Sequence, residues 1–81
     1  MYIYVSNIPF NASNEDLEGL FSAYGEVSSA RIIVDKVSRR SRGFGFVEID
    51  NDDDAKAAIE ALNGKEFMGR EIVVNEARTR E

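Results

Sequence analysis

Aromatic side chains occupy alternate positions in two short segments of the chain, and an arginine precedes the second pair. Tyr2 and Tyr4 lie two residues apart, and Phe44 and Phe46 repeat that spacing with Arg42 before them. Residues at alternate positions of a β-strand share one face of a sheet. Flat rings can stack on unpaired bases, for roughly 1–3 kcal/mol per base, and guanidinium groups neutralise phosphate. The pattern is therefore suited to single-stranded nucleic acid, if the fold brings the two segments together.

Several other kinds of site chemistry lack their usual residues. The sequence has no cysteine and no histidine, which excludes disulfides, thiolate zinc sites, a cysteine nucleophile and the commonest general base. Asp52, Asp53 and Asp54 are consecutive at a predicted helix start, where side chains point in different directions, so they do not predict a chelate. An enzyme of related topology, such as a small phosphatase, finds no support in the residues. We expect no catalytic activity, no metal and no cofactor.

The length and composition predict one small soluble domain. The 81 residues are 43% hydrophobic and 31% charged, which is ordinary for a globular domain. No apolar run approaches the roughly 18–20 residues that span a bilayer. The first residues lack the basic and long apolar segments of a secretory signal. We therefore expect no membrane association and an intracellular, cytoplasmic location.

The net charge argues against a polyanionic partner, but the charges are unevenly distributed. Fifteen acidic and ten basic residues give −5 at pH 7. Between Arg31 and Arg42 there are five basic residues and a single acid, Asp35. The acids concentrate in residues 15–18 and 50–54. A basic face and an acidic face can coexist, and the fold decides whether they do.

The capping and turn-forming residues of the chain predict alternating strands and helices. The expected elements are a strand over residues 1–6, a helix from the N-cap Ser13 to a left-handed stop at Gly25, a strand over 27–34, a loop over 35–41, a strand over 44–50, a helix capped by Asn51 or Asp52 and ended by Asn63 and Gly64, a short connection or small hairpin over 65–71, and a strand over 71–75.

This order, β-α-β-β-α-β, determines the predicted architecture. Each helix has one apolar face, made by Leu17, Leu20, Phe21 and Tyr24 in the first and by Ala55, Ala58, Ile59 and Leu62 in the second. Two such helices can cover only one face of a four-stranded sheet. The prediction is an α+β, ferredoxin-like split β-α-β fold with an antiparallel sheet and both helices on one face.

The third strand indicates which side chains lie on the uncovered face. Phe44 and Phe46 alternate in step with Glu48 and Asp50, and carboxylates are almost never fully buried unless paired. In the first strand, Tyr4 alternates with apolar residues in the same way. The first and third strands are central in this fold, so the three rings should lie side by side on the open face. Arg31 is a candidate for the same face of the neighbouring strand.

Residues 42–49, RGFGFVEI, resemble the longer signature of the RNA recognition motif family. The departure is Ile49, where an aromatic residue is usual and where the side chain should point into the core. Residues 3–8, IYVSNI, are similar to the family's shorter signature. The resemblance covers residues 1–77 and leaves 78–81 as a short basic extension. The chain looks especially like small single-motif bacterial proteins and the motif of glycine-rich RNA-binding proteins.

The resemblance implies roles for individual residues. In the family, the residues that match Tyr4, Phe44 and Phe46 stack on bases or sugars, and the one that matches Arg42 meets phosphate. Outward residues of the last strand, and those just after it, also bind RNA in the family. The predicted RNA-binding set is Tyr2, Tyr4, Arg31, Arg40, Arg42, Phe44, Phe46, Asn75 and Arg78, with Arg80 as a weaker candidate.

Other interpretations remain open. Rings and arginines accept single-stranded DNA as well as RNA. Related folds serve as protein-interaction domains, although such variants usually lose the stacking rings, and the acidic helical face is a candidate surface for a secondary protein partner. Tyr2 could equally shield the sheet edge, Arg39 and Arg40 could form a solvated turn, and Asn7 is expected to bond to its own loop.

Overall fold

The computed structural model describes residues 1–77. Its elements are β1 (Tyr2–Ser6), α1 (Asn14–Ser22), β2 (Val27–Val34), β3 (Ser41–Ile49), α2 (Asp52–Leu62), β4 (Glu66–Phe67), β5 (Arg70–Glu71) and β6 (Val73–Ala77). β1, β2, β3 and β6 form an antiparallel sheet in the order β2-β3-β1-β6, and β4 and β5 form a separate small hairpin. The predicted α+β fold is confirmed, with β1 and β3 at the centre of the sheet.

The core lies between the sheet and the two helices. Ile3 and Val5 of β1 and Val47 of β3 are fully buried, as are Leu17 of α1 and Leu62 of α2. These residues belong to one apolar cluster. Alternation along the strands then turns the side chains between them toward the opposite face of the sheet. One face is therefore covered by helices and the other is open.

Both helices begin at polar caps that the sequence predicts. The Ser13 side chain accepts a hydrogen bond from the backbone N–H of Asp16 at 3.1 Å, and the Asp16 carboxylate accepts one from the N–H of Ser13 at 2.9 Å. The two residues thus form a capping box. In α2 the cap is Asn51, whose side chain accepts from the N–H of Asp54 at 3.0 Å. This settles the choice between Asn51 and Asp52.

The predicted left-handed stop at Gly25 is wrong. Helix α1 ends at Ser22, its C-cap Ala23 is right-handed with φ of −67°, and Gly25 is not among the glycines of positive φ in residues 1–77. Close packing explains the glycine at this position. A Cβ at Gly25 would lie 2.7 Å from the Cβ of Asp54, so the absence of a side chain lets the start of α2 pack closely against Gly25.

Two strands, β3 and β6, differ from prediction by two or more residues at a boundary, and β6 also ends at Ala77 rather than at residue 75. β3 begins at Ser41 rather than at residue 44, because Ser41 pairs with Val34 and prolongs the ladder with β2. The last strand begins at Val73 rather than at residue 71. Ile72 explains this shift, since its backbone accepts from the N–H of Gly64 and donates to the carbonyl of Lys65. The hairpin therefore uses the chain up to Ile72, and β6 starts after it.

Within residues 1–77, neither helix is long and apolar enough to cross a membrane.

Candidate nucleic-acid interface

Three aromatic rings lie together on the open face of the sheet. The ring centroid of Tyr4 is 5.9 Å from that of Phe44 and 5.5 Å from that of Phe46, with tilts of 40° and 54°. Phe46 is 38% exposed, and Tyr4 and Phe44 are half-buried. These three residues are called the aromatic face below. Rings in this position can stack on bases that are not already stacked in a duplex.

The strand register places two predicted polar residues beside the rings. Tyr4 pairs with Phe46 across β1 and β3 and with Asn75 across β1 and β6. Phe46 pairs in turn with Arg31 of β2. Cα partners of adjacent strands share a face, so Asn75, Tyr4, Phe46 and Arg31 form one row across all four strands. The row combines an amide, two rings and a cation, which can bind the edge, face and phosphate of a nucleotide.

A second row lies next to it and contains a carboxylate. Tyr2 pairs with Glu48 and with Ala77, and Glu48 pairs with Ser29. Tyr2 is 42% exposed and helps to line a groove of about 310 Å³ on this side of the sheet. Glu48 is half-buried and can accept hydrogen bonds from base N–H groups. In the sequence, Glu48 indicates only the orientation of the strand, and this capacity is not predicted.

Arg42 lies near the start of β3 and is exposed. The pairing with β2 is irregular at this point, and Gly43, which separates Arg42 from Phe44, has a φ of 84°. Its guanidinium is close enough to Asp35 to affect that carboxyl group. The backbone N–H groups of Ser38 and Val37 donate to Asp35 at 3.1 and 2.7 Å. These bonds, with a smaller contribution from the charge of Arg42, hold the pKa of Asp35 below its ordinary value. The loop between β2 and β3 thus begins with a turn in which two backbone N–H groups donate to the charged carboxylate of Asp35.

Arg40 does not join the rings. It lies in the loop between β2 and β3 and faces a cleft that also involves the loop after β1. The cleft is lined by Phe10, Asn11, Arg39, Arg40 and Ser41. Phe10 is not among the predicted functional residues, and its ring is 67% exposed. The signal in the sequence that could have identified it is a single phenylalanine in the loop after β1.

The expectation that Asn7 bonds within its own loop is wrong. Its side-chain N–H donates to the backbone carbonyl of Glu71 at 2.6 Å, and its Oδ1 accepts from the Arg70 guanidinium at 2.7 Å. Asn7 has a φ of 59°, a left-handed conformation that asparagine tolerates better than most residues. The residue therefore ties the loop after β1 to the β4–β5 hairpin.

The acidic clusters lie away from the aromatic face. Glu15 and Asp16 are in the first turn of α1, and Asp52, Asp53 and Asp54 are in the first turn of α2. Both helices pack on the opposite side of the sheet, where anions at helix N-termini are favourable. In residues 1–77, no arginine of the open face has a carboxylate within ion-pair distance. Net negative charge and a basic binding surface are therefore compatible.

Two predicted basic residues cannot be placed. Arg78 and Arg80 lie outside the described residues. Among residues 1–77 there is no group of three or more carboxylates suited to hold a metal ion.

A four-stranded sheet with helices on one side and exposed rings on the other is the architecture of an open-faced, ferredoxin-like binding module. The chain belongs to the RNA recognition motif family, whose model matches residues 3–73. The match includes the whole of both signature segments, residues 3–8 and 42–49, and leaves out only Tyr2 of β1 and residues 74–77 of β6. The family resemblance noted in the sequence is thereby confirmed.

Known proteins resemble the chain over its whole length. It is 47% identical to RbpA of Synechocystis sp., named as an RNA-binding protein, over all of this chain and 80% of that one. A crystal structure of RNA Binding Protein PG1 matches with a TM-score of 0.95 and 51% identity, covering 100% of this chain and 98% of that one. The Sxl-lethal protein–RNA complex matches with a TM-score of 0.88 and 32% identity, covering 94% of this chain and 47% of that one.

Proposed function

We propose that this domain binds single-stranded RNA on its aromatic face. The observation that carries the proposal is the row of Asn75, Tyr4, Phe46 and Arg31 across the sheet. Family membership and the similarity to a motif solved with RNA support it. Bases stack on the rings, the arginines neutralise phosphates, and amide and carboxylate groups contact base edges.

The strand must be unpaired to use this surface. In a duplex the faces of the bases are already stacked on one another, so rings on a flat sheet cannot reach them. Single-stranded DNA offers the same faces and phosphates as RNA. We infer a preference for RNA from the family and from relatives that are named as RNA-binding proteins.

We further infer that binding is not accompanied by catalysis and that the domain works in the cytoplasm. The sequence has no histidine or cysteine to serve as base or nucleophile. An alternative role as a protein-interaction domain would leave the three exposed rings unexplained, because clustered apolar surface is costly without a partner. Three rings give a gross stacking energy of roughly 3–9 kcal/mol. The loss of translational and conformational freedom on binding offsets much of this energy, so we expect dissociation constants on the order of micromolar.

An amide chemical-shift titration with a pool of random single-stranded RNA octamers tests the proposal. We expect the largest shifts on β1 and β3, around Arg31 of β2 and around Asn75 of β6, with little change on the helices. A pool of random DNA octamers, titrated in parallel, measures the preference for RNA. If RNA leaves the amides of β1 and β3 unchanged at millimolar concentration, the domain does not bind RNA on this face.

A further inference from the structure

A second surface with nucleic-acid chemistry lies at one end of the sheet. Here the loop after β1 meets the loop between β2 and β3, and the two enclose a cleft of about 510 Å³. We call it the loop-end cleft. Its lining is Phe10, Asn11, Arg39, Arg40 and Ser41. This volume falls within the range of roughly 300–1,000 Å³ found for small-molecule sites.

Phe10 supplies the cleft with an exposed ring that is held in place. The guanidinium carbon of Arg70 lies 5.7 Å from the ring centroid, in the range of a cation–π contact. Arg70 is itself fixed by its hydrogen bond to Asn7, which spans from β5 to the loop after β1. The cation of Arg70 therefore lies against this ring and helps to position it. The ring is thus prepared to stack on a planar group.

Two cations border the cleft on its other side. The loop backbone is closed by hydrogen bonds from the N–H of Asp35 to the carbonyl of Arg40 and from the N–H of Arg39 to the carbonyl of Asp35, both at 2.8 Å. The side chains of Arg39 and Arg40 are exposed, and within residues 1–77 neither has an ion-pair partner. A ring beside two guanidinium groups matches a base beside a phosphate.

The cleft is continuous with the aromatic face. The N–H of Ile8 donates to the carbonyl of Gly43 at 2.8 Å, so the loop after β1 is joined to the start of β3. A Cβ at Gly43 would lie 3.8 Å from Cε1 of Phe10. Gly43 separates Arg42 from Phe44 along the chain. A strand that lies on Phe44 can therefore continue past Gly43 into the cleft.

We propose that the loop-end cleft binds one further nucleotide of the RNA, beyond those on the aromatic face. The base of this nucleotide stacks on Phe10, and its phosphate binds between Arg39 and Arg40. Asn11 and Ser41 offer hydrogen bonds to the base edge or sugar. The proposal rests on the proposed function, because it lengthens the path of the same RNA strand.

Fluorescence anisotropy with two labelled pools, random RNA tetramers and random RNA decamers, tests this extension. The variants are Phe10→Ala and the double variant Arg39→Gly/Arg40→Ser. Glycine is chosen because Arg39 has a φ of 60°, which glycine adopts without strain. We expect Phe10→Ala to bind decamers about tenfold more weakly, as the loss of one stacked base implies. The arginine variant should weaken decamer binding by a similar factor, because it loses the contact with the phosphate. Both variants should bind tetramers within about twofold of the parent protein.

Matched controls separate the cleft from the general charge of the loop. Lys36→Ser removes a positive charge from the same loop outside the cleft, and Val37→Ala removes an apolar side chain that is 94% exposed. Both should leave decamer binding within about twofold. The cleft proposal is overturned if the cleft variants bind decamers as the parent does, or weaken tetramers and decamers equally. If the parent protein binds neither pool, the proposed function itself fails.

Discussion

Tyr4 and Phe46 face each other directly across the antiparallel pair of central strands, with ring centroids 5.5 Å apart. Each also has a polar residue as its other neighbour in the row, Asn75 beside Tyr4 and Arg31 beside Phe46. Alternation along β1 and β3 positions the two rings, because their immediate neighbours in sequence are buried: Ile3, Val5, Gly45 and Val47. Binding and stability are therefore carried by opposite faces of the same strands.

This separation predicts that removing the rings of β3 weakens binding and not folding. Phe44→Ala/Phe46→Ala should bind RNA roughly 30-fold or more weakly, since each stacked base is worth about 1–3 kcal/mol. Anisotropy measures the affinity and urea denaturation the stability. The matched control is Ile49→Ala in the same strand. Ile49 is fully buried, and its truncation should cost about 2–5 kcal/mol of folding free energy. An unfolded double variant would show instead that the rings belong to the core.

The salt dependence of binding should report the arginines of the open face. With about three arginine–phosphate contacts, a plot of log affinity against log salt concentration should have a slope near −2 for single-stranded RNA. Arg42→Ser should reduce the magnitude of this slope by about 0.7, the value for one contact. Lys56→Ser, on the exposed side of α2, removes the same charge and should leave the slope unchanged. A slope of zero in the parent protein would contradict the assignment of arginines to phosphates.

Gly43 should be sensitive to substitution because of its backbone conformation. Its φ is +84°, where an L-residue costs roughly 1–2 kcal/mol. Gly43→Ala is therefore expected to lower the free energy of unfolding by about that amount, measured from the urea midpoint at constant m-value. Gly19 is the control. It lies inside α1, a Cβ there would meet nothing within 4 Å, and Gly19→Ala should stabilise the protein by about 0.5–1 kcal/mol. Equal effects of the two variants would show that the conformation of Gly43 is not what requires glycine.

Much of the fold follows from local patterns in the sequence. The alternation of Gly45, Val47 and Ile49 with Phe44, Phe46 and Glu48 gives both the strand and its two faces. The caps Ser13 and Asn51 precede helices because each has a side chain that can satisfy a free backbone N–H. The sheet order then follows from the topology. The placement of the three rings was predictable for these reasons, without knowledge of any contact between strands.

The features that sequence did not predict depend on contacts between distant segments. The sequence predicts a helix stop at Gly25, but the glycine is there because a side chain would collide with Asp54, 29 positions away. Asn7 was expected to bond locally, but Arg70 lies 63 positions away in sequence. Phe10 gains its candidate role only from Arg39 and Arg40, which another loop brings next to it. Neither the periodicity of apolar residues nor the capping rules predict contacts between segments that are distant in sequence.

The Asp35 turn gives a prediction about pH. Hydrogen bonds from the N–H groups of Ser38 and Val37, and to a smaller extent the charge of Arg42, lower the pKa of this carboxyl group in the folded state. A group whose pKa is lower when folded stabilises the protein above its unfolded pKa, about 3.9 for aspartate. That contribution is lost as the pH falls through the folded pKa. The turn should therefore be intact at neutral pH and loosen only in acid, below about pH 4.

An NMR titration of the Asp35 carboxyl carbon measures this pKa, with the amides of Val37 and Ser38 as reporters of the turn. We expect a pKa below that of the same carboxyl group in the urea-denatured protein, and amide shifts that follow the same curve. Arg42→Ser should move the pKa only slightly upward, because the backbone hydrogen bonds are the larger cause. Asp35→Ala should loosen the turn at every pH. A folded pKa equal to the denatured one would mean that these hydrogen bonds do not persist in solution. The loop that carries Arg39 and Arg40 would then lack the closed conformation on which the loop-end cleft depends.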